Sequence, residues 1–175
     1  MRGPIILITG TPGTGKSETS RIAAEQLGLQ HINVSELVKL HECHEGKDTD
    51  FDSYIVDDDK IVDLLEPIIE QSSGCIVDFH SAELFPERWF DLVLVLRCNT
   101  DVLYDRLTER GYNDKKRSEN IECEIMQVVL EEARESYDSS IVHELCSNDL
   151  TDLDSNVERV AAWYKSWKID NAENC

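Results

Sequence analysis

Short apolar runs alternate along this chain with segments whose apolar residues recur every three or four positions. The runs at 5–9 (IILIT), 75–79 (CIVDF) and 92–96 (LVLVL) are apolar almost throughout, the pattern of parallel strands covered on both faces. Weaker runs at 30–34 and 141–145 bring the predicted strands to five. Helical spacing fills the intervals at 17–27, 35–44, 100–110, 120–137 and 152–168, with a further helix running from 58 or 59 through Ile69. Asp58 or Asp59 is placed to cap that helix, and Pro67 within its Ile61, Val62, Leu65, Ile68, Ile69 stripe is expected to kink or shorten it. The acidic, turn-rich segment 45–54 reads as an exposed loop. Strands alternating with helices predict one α/β domain, a mostly parallel sheet between helical layers, with excursions near 34–58 and 108–119.

Length and composition narrow this picture. At 175 residues the chain supports one substantial core. No stretch approaches the roughly 20 apolar residues of a membrane helix, and the five-residue run after Met1 and Arg2 is too short for a secretory signal, so an intracellular chain is expected. Cysteines at 43, 75, 98, 123, 146 and 175 form no CxxC pair and are expected to be reduced thiols. Trp167 reads as a core residue. His41, Cys43 and His44 lack a second ligand pair and read as structural.

Charge adds a constraint on partners. With 36 acidic and 17 basic residues the net charge is −19, which opposes nucleic-acid phosphate over most of the surface and suits a basic protein partner. Six of the 17 basic residues (Arg97, Arg106, Arg110, Lys115, Lys116 and Arg117) fall within 97–117, which points to a local anion site.

Residues 10–17, Gly-Thr-Pro-Gly-Thr-Gly-Lys-Ser, match G-x-x-x-x-G-K-[ST] in full, between a predicted strand and a predicted helix. Gly13 and Gly15 clear side chains from the path of backbone amides around a phosphate, and the helix start adds unpaired N–H groups. Thr14, between the two glycines, is expected to contact the nucleotide with them. Lys16 is placed to neutralise the β- and γ-phosphates, Ser17 to put a hydroxyl on magnesium, and Glu18 or Thr19 to supply a first-turn amide. The expected ligand is ATP with Mg2+.

A carboxylate near the metal is needed, and Asp78 at the end of the 75–79 strand supplies it. His80, two residues on, is expected on the same side, where it orients a water or contacts a phosphate or else simply packs. Arg106 and Arg110, four apart on one helix, share a face on which an anion can sit, although Asp105 and Glu109 offer an alternative pairing. Residues 111–117 would form a short mobile cover that limits stray water.

These motifs together resemble the adenylate kinase isoenzyme 6 family. The likeness rests on the loop and its preceding strand, on Ile32-Asn33-Val34, on Ile76-Val77-Asp78-Phe79-His80, on Phe85-Pro86-Glu87-Arg88-Trp89-Phe90, on the 106–113 stretch and on 120–125. It implies a P-loop nucleoside-monophosphate kinase fold, three layers around a five-stranded parallel sheet, as a single domain over 1–175. A monophosphate-binding excursion at 34–57 and a short lid at 109–119 are implied with it. The implied reaction is transfer of the ATP γ-phosphoryl group to AMP, accompanied by ATP hydrolysis. By the same resemblance Gly13, Gly15, Lys16, Ser17 and Glu18 contact ATP, Arg110 reaches it from the lid edge, and Asp78 and His80 form a modified Walker-B pair. Position 39, where relatives are expected to carry an arginine on the monophosphate, is Lys39, which keeps the charge and loses the forked geometry. The family implies a nuclear and partly cytoplasmic protein that engages a basic small-subunit ribosomal protein on pre-ribosomal particles. The rival expectation is an ATPase switch whose main task lies in ribosome assembly.

Overall fold

The computed structural model describes residues 2–172; Cys175, counted above among the reduced thiols, lies outside them. Five strands, β1 (Ile5–Thr9), β2 (Gln30–Asn33), β5 (Cys75–Asp78), β6 (Leu92–Arg97) and β7 (Val142–Cys146), form one sheet in the order β2-β5-β1-β6-β7. Every neighbouring pair is parallel. A separate antiparallel hairpin joins β3 (His44–Asp48) to β4 (Ser53–Val56).

Alternation along β1 explains the three layers. Ile5 and Leu7 point into one core with α3 (Asp58–Gln71) and α6 (Val128–Ser136), through Ile61, Leu65, Ile69, Val129, Leu130 and Ala133. Ile6 and Ile8 point into the other, against Ala23 and Ala24 of α1 (Lys16–Leu27) and Val157 and Val160 of α7 (Leu150–Ala172). A strand buried on both faces carries no polar side, so β1, β5 and β6 read as continuous apolar runs. A third cluster, Leu103 and Leu107 of α4 (Thr100–Glu109) with Ile121 of α5 (Asp114–Ile125), seats the two helices nearest the glycine-rich loop.

Several local expectations are corrected. The 45–54 segment is most of a hairpin rather than a loop: Asp48 Oδ1 accepts from the amides of Asp50 and Phe51, Lys47 pairs with Asp52, and the His44 and Tyr54 rings pack 4.4 Å apart. Polar side chains fold this turn, so it left no apolar pattern. The expected 120–137 helix is two, broken where Gln127 takes a left-handed φ of 57°. Its first half begins earlier, because Asn113 caps α5 by accepting from the Lys116 amide at 2.8 Å; most of the expected 111–117 cover is therefore helical.

Other boundaries move for similar reasons. The second helix, α2 (Val34–Leu40), is shorter than expected and is capped by Asn33. Pro67 does not end α3; Pro67 and Asp63, whose carbonyl loses its i+4 donor, are both exposed residues, where water can replace that donor. Asp57, not Asp58 or Asp59, caps that helix through the Lys60 amide. Asp149 accepts from the Asp152 amide, so α7 starts earlier than expected and runs for 23 residues. Cys43, Cys75, Cys98, Cys123 and Cys146 are free thiols. Among the described residues no helix is long and apolar enough to cross a membrane.

Candidate active site

The loop after β1 leaves the sheet's centre at the C-terminal edge, where parallel sheets place their ligands. Gly15 begins α1 with a φ of 89°, and Gly13 has a φ of 95°. A Cβ on Gly13 would stand 2.8 Å from Leu103 Cδ1, so any side chain there would also have to displace the buried Leu103 side chain. Thr11 O is the inner anchor of the loop. It accepts from the Thr14 amide at 3.2 Å, from Thr14 Oγ1 at 2.8 Å and from Lys16 Nζ at 3.2 Å. Lys16, Ser17 and Glu18 open α1, where first-turn amides have no partner four residues back. The loop presents a concave set of donors with an ammonium group among them.

Burial pushes the Lys16 pKa down from 10.5 to about 8; Asp78 opposes this, Arg110 adds to it, and Glu124 opposes it again. A desolvated ammonium close to an unpaired guanidinium is a strong attractor for a polyphosphate. Arg110 itself is exposed and makes no side-chain hydrogen bond or ion pair among the described residues.

Parallel register brings the carboxylate to the loop. Asp78 aligns with Ile8 on one side and Asn33 on the other, and is 2% exposed. Ser17 Oγ lies 3.3 Å from Asp78 Oδ1 and also accepts from Asn33 Nδ2 at 3.3 Å. His31 Nε2 sits 2.6 Å from Asp78 Oδ2, where its N–H donates to the carboxylate. The imidazole on Asp78 is therefore His31 of β2, not His80. β5 ends at Asp78, so strand alternation does not carry on to His80, whose ring instead packs 4.3 Å from that of Phe79. His80 keeps surface open to solvent, yet withdrawal from water and the Lys16 and Lys116 cations push its pKa down to about 4.

Ser17 and Asp78 offer a hydroxyl and a buried carboxylate facing one another at the mouth of the loop. Hard oxygen donors in that number fit Mg2+, which completes its shell with phosphate oxygens and water. Among the described residues no group of three or more His, Cys, Asp and Glu side chains could hold a metal without such help.

Arg106 does a different task from the one expected. Its Nη1 donates to Gly13 O at 3.2 Å and Ser147 O at 2.8 Å, and its Nη2 to Asn148 O at 2.9 Å. These bonds brace the phosphate loop against the segment between β7 and α7. Ser147 Oγ reinforces the brace by donating to Thr14 O at 2.6 Å. Beside it lies a groove of about 250 Å³ lined by Gly15, Glu18, Thr19, Arg106, Ser147 and Leu150. Glu18 borders this groove and pairs with Arg21 at 2.8 Å.

Two further elements face each other beyond the loop. Lys115 Nζ reaches Asp50 Oδ2 at 2.8 Å, Asn113 Nδ2 donates to Asp50 O at 3.3 Å, and Lys116 Nζ donates to Asp52 O at 3.0 Å. The hairpin tip and the start of α5 are thus clasped together. Lys39 is exposed in the last turn of α2 and makes no side-chain hydrogen bond or ion pair among the described residues.

Sequence reasoning missed His31 and Glu124. The register of β2 on β5 makes His31 visible only once the sheet is assembled. Glu124 left a trace, a carboxylate three residues after Ile121 on the apolar face of a helix.

Comparison with known proteins agrees with this geometry. The sequence pattern of the AAA domain family matches residues 6–127. The chain is 48% identical over 168 residues to an adenylate kinase isoenzyme 6 homolog of Dictyostelium discoideum, covering 96% of this chain and 95% of that protein. It is also 48% identical to the adenylate kinase isoenzyme 6 homolog FAP7 of Saccharomyces cerevisiae, covering 94% of this chain and 84% of that one. The fold matches shikimate kinase from Acinetobacter baumannii with a TM-score of 0.67 at 12% identity, over 95% of each chain. The chain belongs to the adenylate kinase isoenzyme 6 homolog family of P-loop kinases, and it is an enzyme of kinase and ATPase type.

Proposed function

We propose that this protein transfers the γ-phosphoryl group of ATP to AMP, giving two ADP, and hydrolyses ATP when no acceptor is bound. The observation that carries the reading is the convergence of Lys16, the Ser17–Asp78 pair and the free Arg110 at one end of the sheet. The loop amides and Lys16 grip the β- and γ-phosphates, and the groove beside Arg106 takes the base. An AMP phosphate oxygen attacks the γ-phosphorus while the bond to the β–γ bridging oxygen breaks. No general base is required, because the acceptor oxygen already carries charge. Lys16 stays protonated and follows the charge onto the leaving oxygen, and Arg110 donates to the transferring group from the solvent side. Ser17 and Asp78 would hold Mg2+, which when bound neutralises phosphate charge. The hairpin and Lys39 face the acceptor side, and the clasp to α5 excludes water from it.

His80 gives the hydrolytic reading its own support. A neutral imidazole exposed near Lys16 can orient a water, though with a pKa near 4 it is too weak a base to deprotonate one. Product analysis decides between the two. ADP formed rapidly only when AMP accompanies ATP-Mg supports the kinase; inorganic phosphate released at one rate with or without AMP supports the switch and overturns the kinase reading.

The same family membership supports a role in ribosome maturation; we infer further a basic small-subunit ribosomal protein as partner on pre-ribosomal particles and a nuclear as well as cytoplasmic location. The net charge of −19 suits such a partner electrostatically. Co-sedimentation of the tagged protein with small-subunit precursors in nuclear extracts tests it, and absence from those fractions argues against it.

A further inference from the structure

Glu124 is a carboxylate where the helix pattern calls for an apolar side chain, and it is 2% exposed. Burying a charge is costly unless every lone pair finds a donor. Arg97 Nε pairs with Oε1, the Cys98 amide donates to Oε1 at 3.3 Å, and Arg97 Nη2 donates to the Glu124 carbonyl at 2.8 Å. These contacts alone would neutralise the charge and fix α5 to the end of β6. The remaining oxygen, Oε2, accepts from Thr11 Oγ1 at 2.6 Å.

Thr11 is also the residue whose carbonyl seats Lys16 and Thr14. Its side chain is thus tied to α5 while its carbonyl is tied to the loop's own Thr14 and Lys16. Holding both restrains rotation of the peptide plane after Thr11, and Lys16 Nζ is bonded to the carbonyl of that plane. We propose that Glu124 is a positioning residue for phosphoryl transfer: through the Thr11 hydroxyl it sets the carbonyl that aims Lys16, and so shapes the loop before nucleotide arrives. Pre-aimed charge stabilises the transition state without reorganisation at the moment of reaction. The inference rests on the kinase and ATPase reading above.

Thr11→Val is the discriminating variant, because it removes one hydroxyl and keeps the Glu124 contacts to Arg97 and Cys98. With ATP-Mg and AMP, its kcat is expected to fall about tenfold or more, while the KM for ATP changes less than about threefold. Thr11→Ser, which restores the hydroxyl, is expected to recover kcat to within about twofold of the parent. In the nucleotide-free protein, amide hydrogen exchange over residues 10–16 is expected to quicken in Thr11→Val and not in Thr11→Ser. Glu124→Gln keeps the shape and weakens the link by removing its charge, so a partial fall in kcat is expected, and the threonine pair decides the matter if that variant folds poorly. Unchanged kcat and exchange in Thr11→Val, or a loss that Thr11→Ser leaves in place, overturns the proposal. Should the parent protein turn over no ATP at all, the functional reading fails, and the exchange comparison alone still decides whether Glu124 sets the loop.

Discussion

His31 Nε2 lies 2.6 Å from Asp78 Oδ2, so the carboxylate that faces Ser17 is steered by an imidazole from a neighbouring strand. Partners of this kind orient a metal-binding carboxylate and are worth about 10- to 100-fold in metal affinity. His31→Ala is expected to raise the Mg2+ concentration for half-maximal activity by at least about tenfold. His31→Gln, which keeps a donor, should recover part of that loss. Equal Mg2+ dependence in parent and His31→Ala would show that Asp78 holds its orientation without the imidazole.

Lys16 sets an upper pH limit. Its pKa is pushed down from 10.5 to about 8, mainly by burial, and the protonated form is the one that grips phosphate. In the free enzyme, kcat/KM for ATP is therefore expected to hold below about 8 and to fall as pH rises through it. Stability of the nucleotide-free protein runs the other way. Between about 8 and 10.5 the unfolded chain binds the extra proton, so this group's contribution rises with pH across that window and is lost again as pH falls through 8. Lys16→Ala should abolish measurable turnover and flatten the stability trend; a pH series of rates on the parent and of urea midpoints on both proteins checks this.

His80 acts at the acid end. Its folded pKa near 4 lies below the ordinary 6.5, so between these values the unfolded chain binds the extra proton. The contribution is complete above 6.5 and is lost as pH falls toward 4. His80→Asn is expected to show a shallower decline in melting temperature than the parent over that interval. No acid limb near pH 6.5 is expected from this residue in the rate profile, because it stays neutral throughout the working range.

Arg106 and Arg110 separate into two roles. Arg106→Ala strips donors from the carbonyls of Gly13, Ser147 and Asn148, and is expected to destabilise by about 1–3 kcal/mol while weakening ATP binding. Arg110→Ala removes an exposed, unpaired guanidinium and should leave the melting temperature nearly unchanged while lowering kcat about 100-fold. Thermal melts, calorimetric ATP binding and steady-state rates on both variants check the division. An Arg110→Ala loss confined to ATP affinity would assign it to binding alone.

Most of the sheet and the phosphate loop are legible in the amino-acid sequence. The apolar runs at 5–9, 75–79 and 92–96 correspond to β1, β5 and β6, because strands buried on both faces must be apolar along their length. The phosphate loop is readable because its function demands glycines at fixed spacing. The hairpin is not, since Asp48, Lys47 and Asp52 build it from polar contacts that mimic a loop. The identity of the histidine on Asp78 depends on which strand lies beside β5, a fact of tertiary pairing that a linear reading cannot contain. Arg106 misleads for a related reason: a helix face says where a guanidinium points, not whether backbone carbonyls already occupy it.

Were α5 to swing about the break before α6, Gln127 would be its fulcrum. At 1.5 Å per residue, the 12 residues of α5 form an arm about 18 Å long. A swing of about 10° at the fulcrum would carry Asn113 and Lys115 about 3 Å, enough to part them from Asp50. Glu124, three residues from the pivot, would move less than about 1 Å and keep its hold on Thr11. On the proposed kinase reading, the far end of the arm would then release the acceptor side while the near end left the donor phosphates undisturbed.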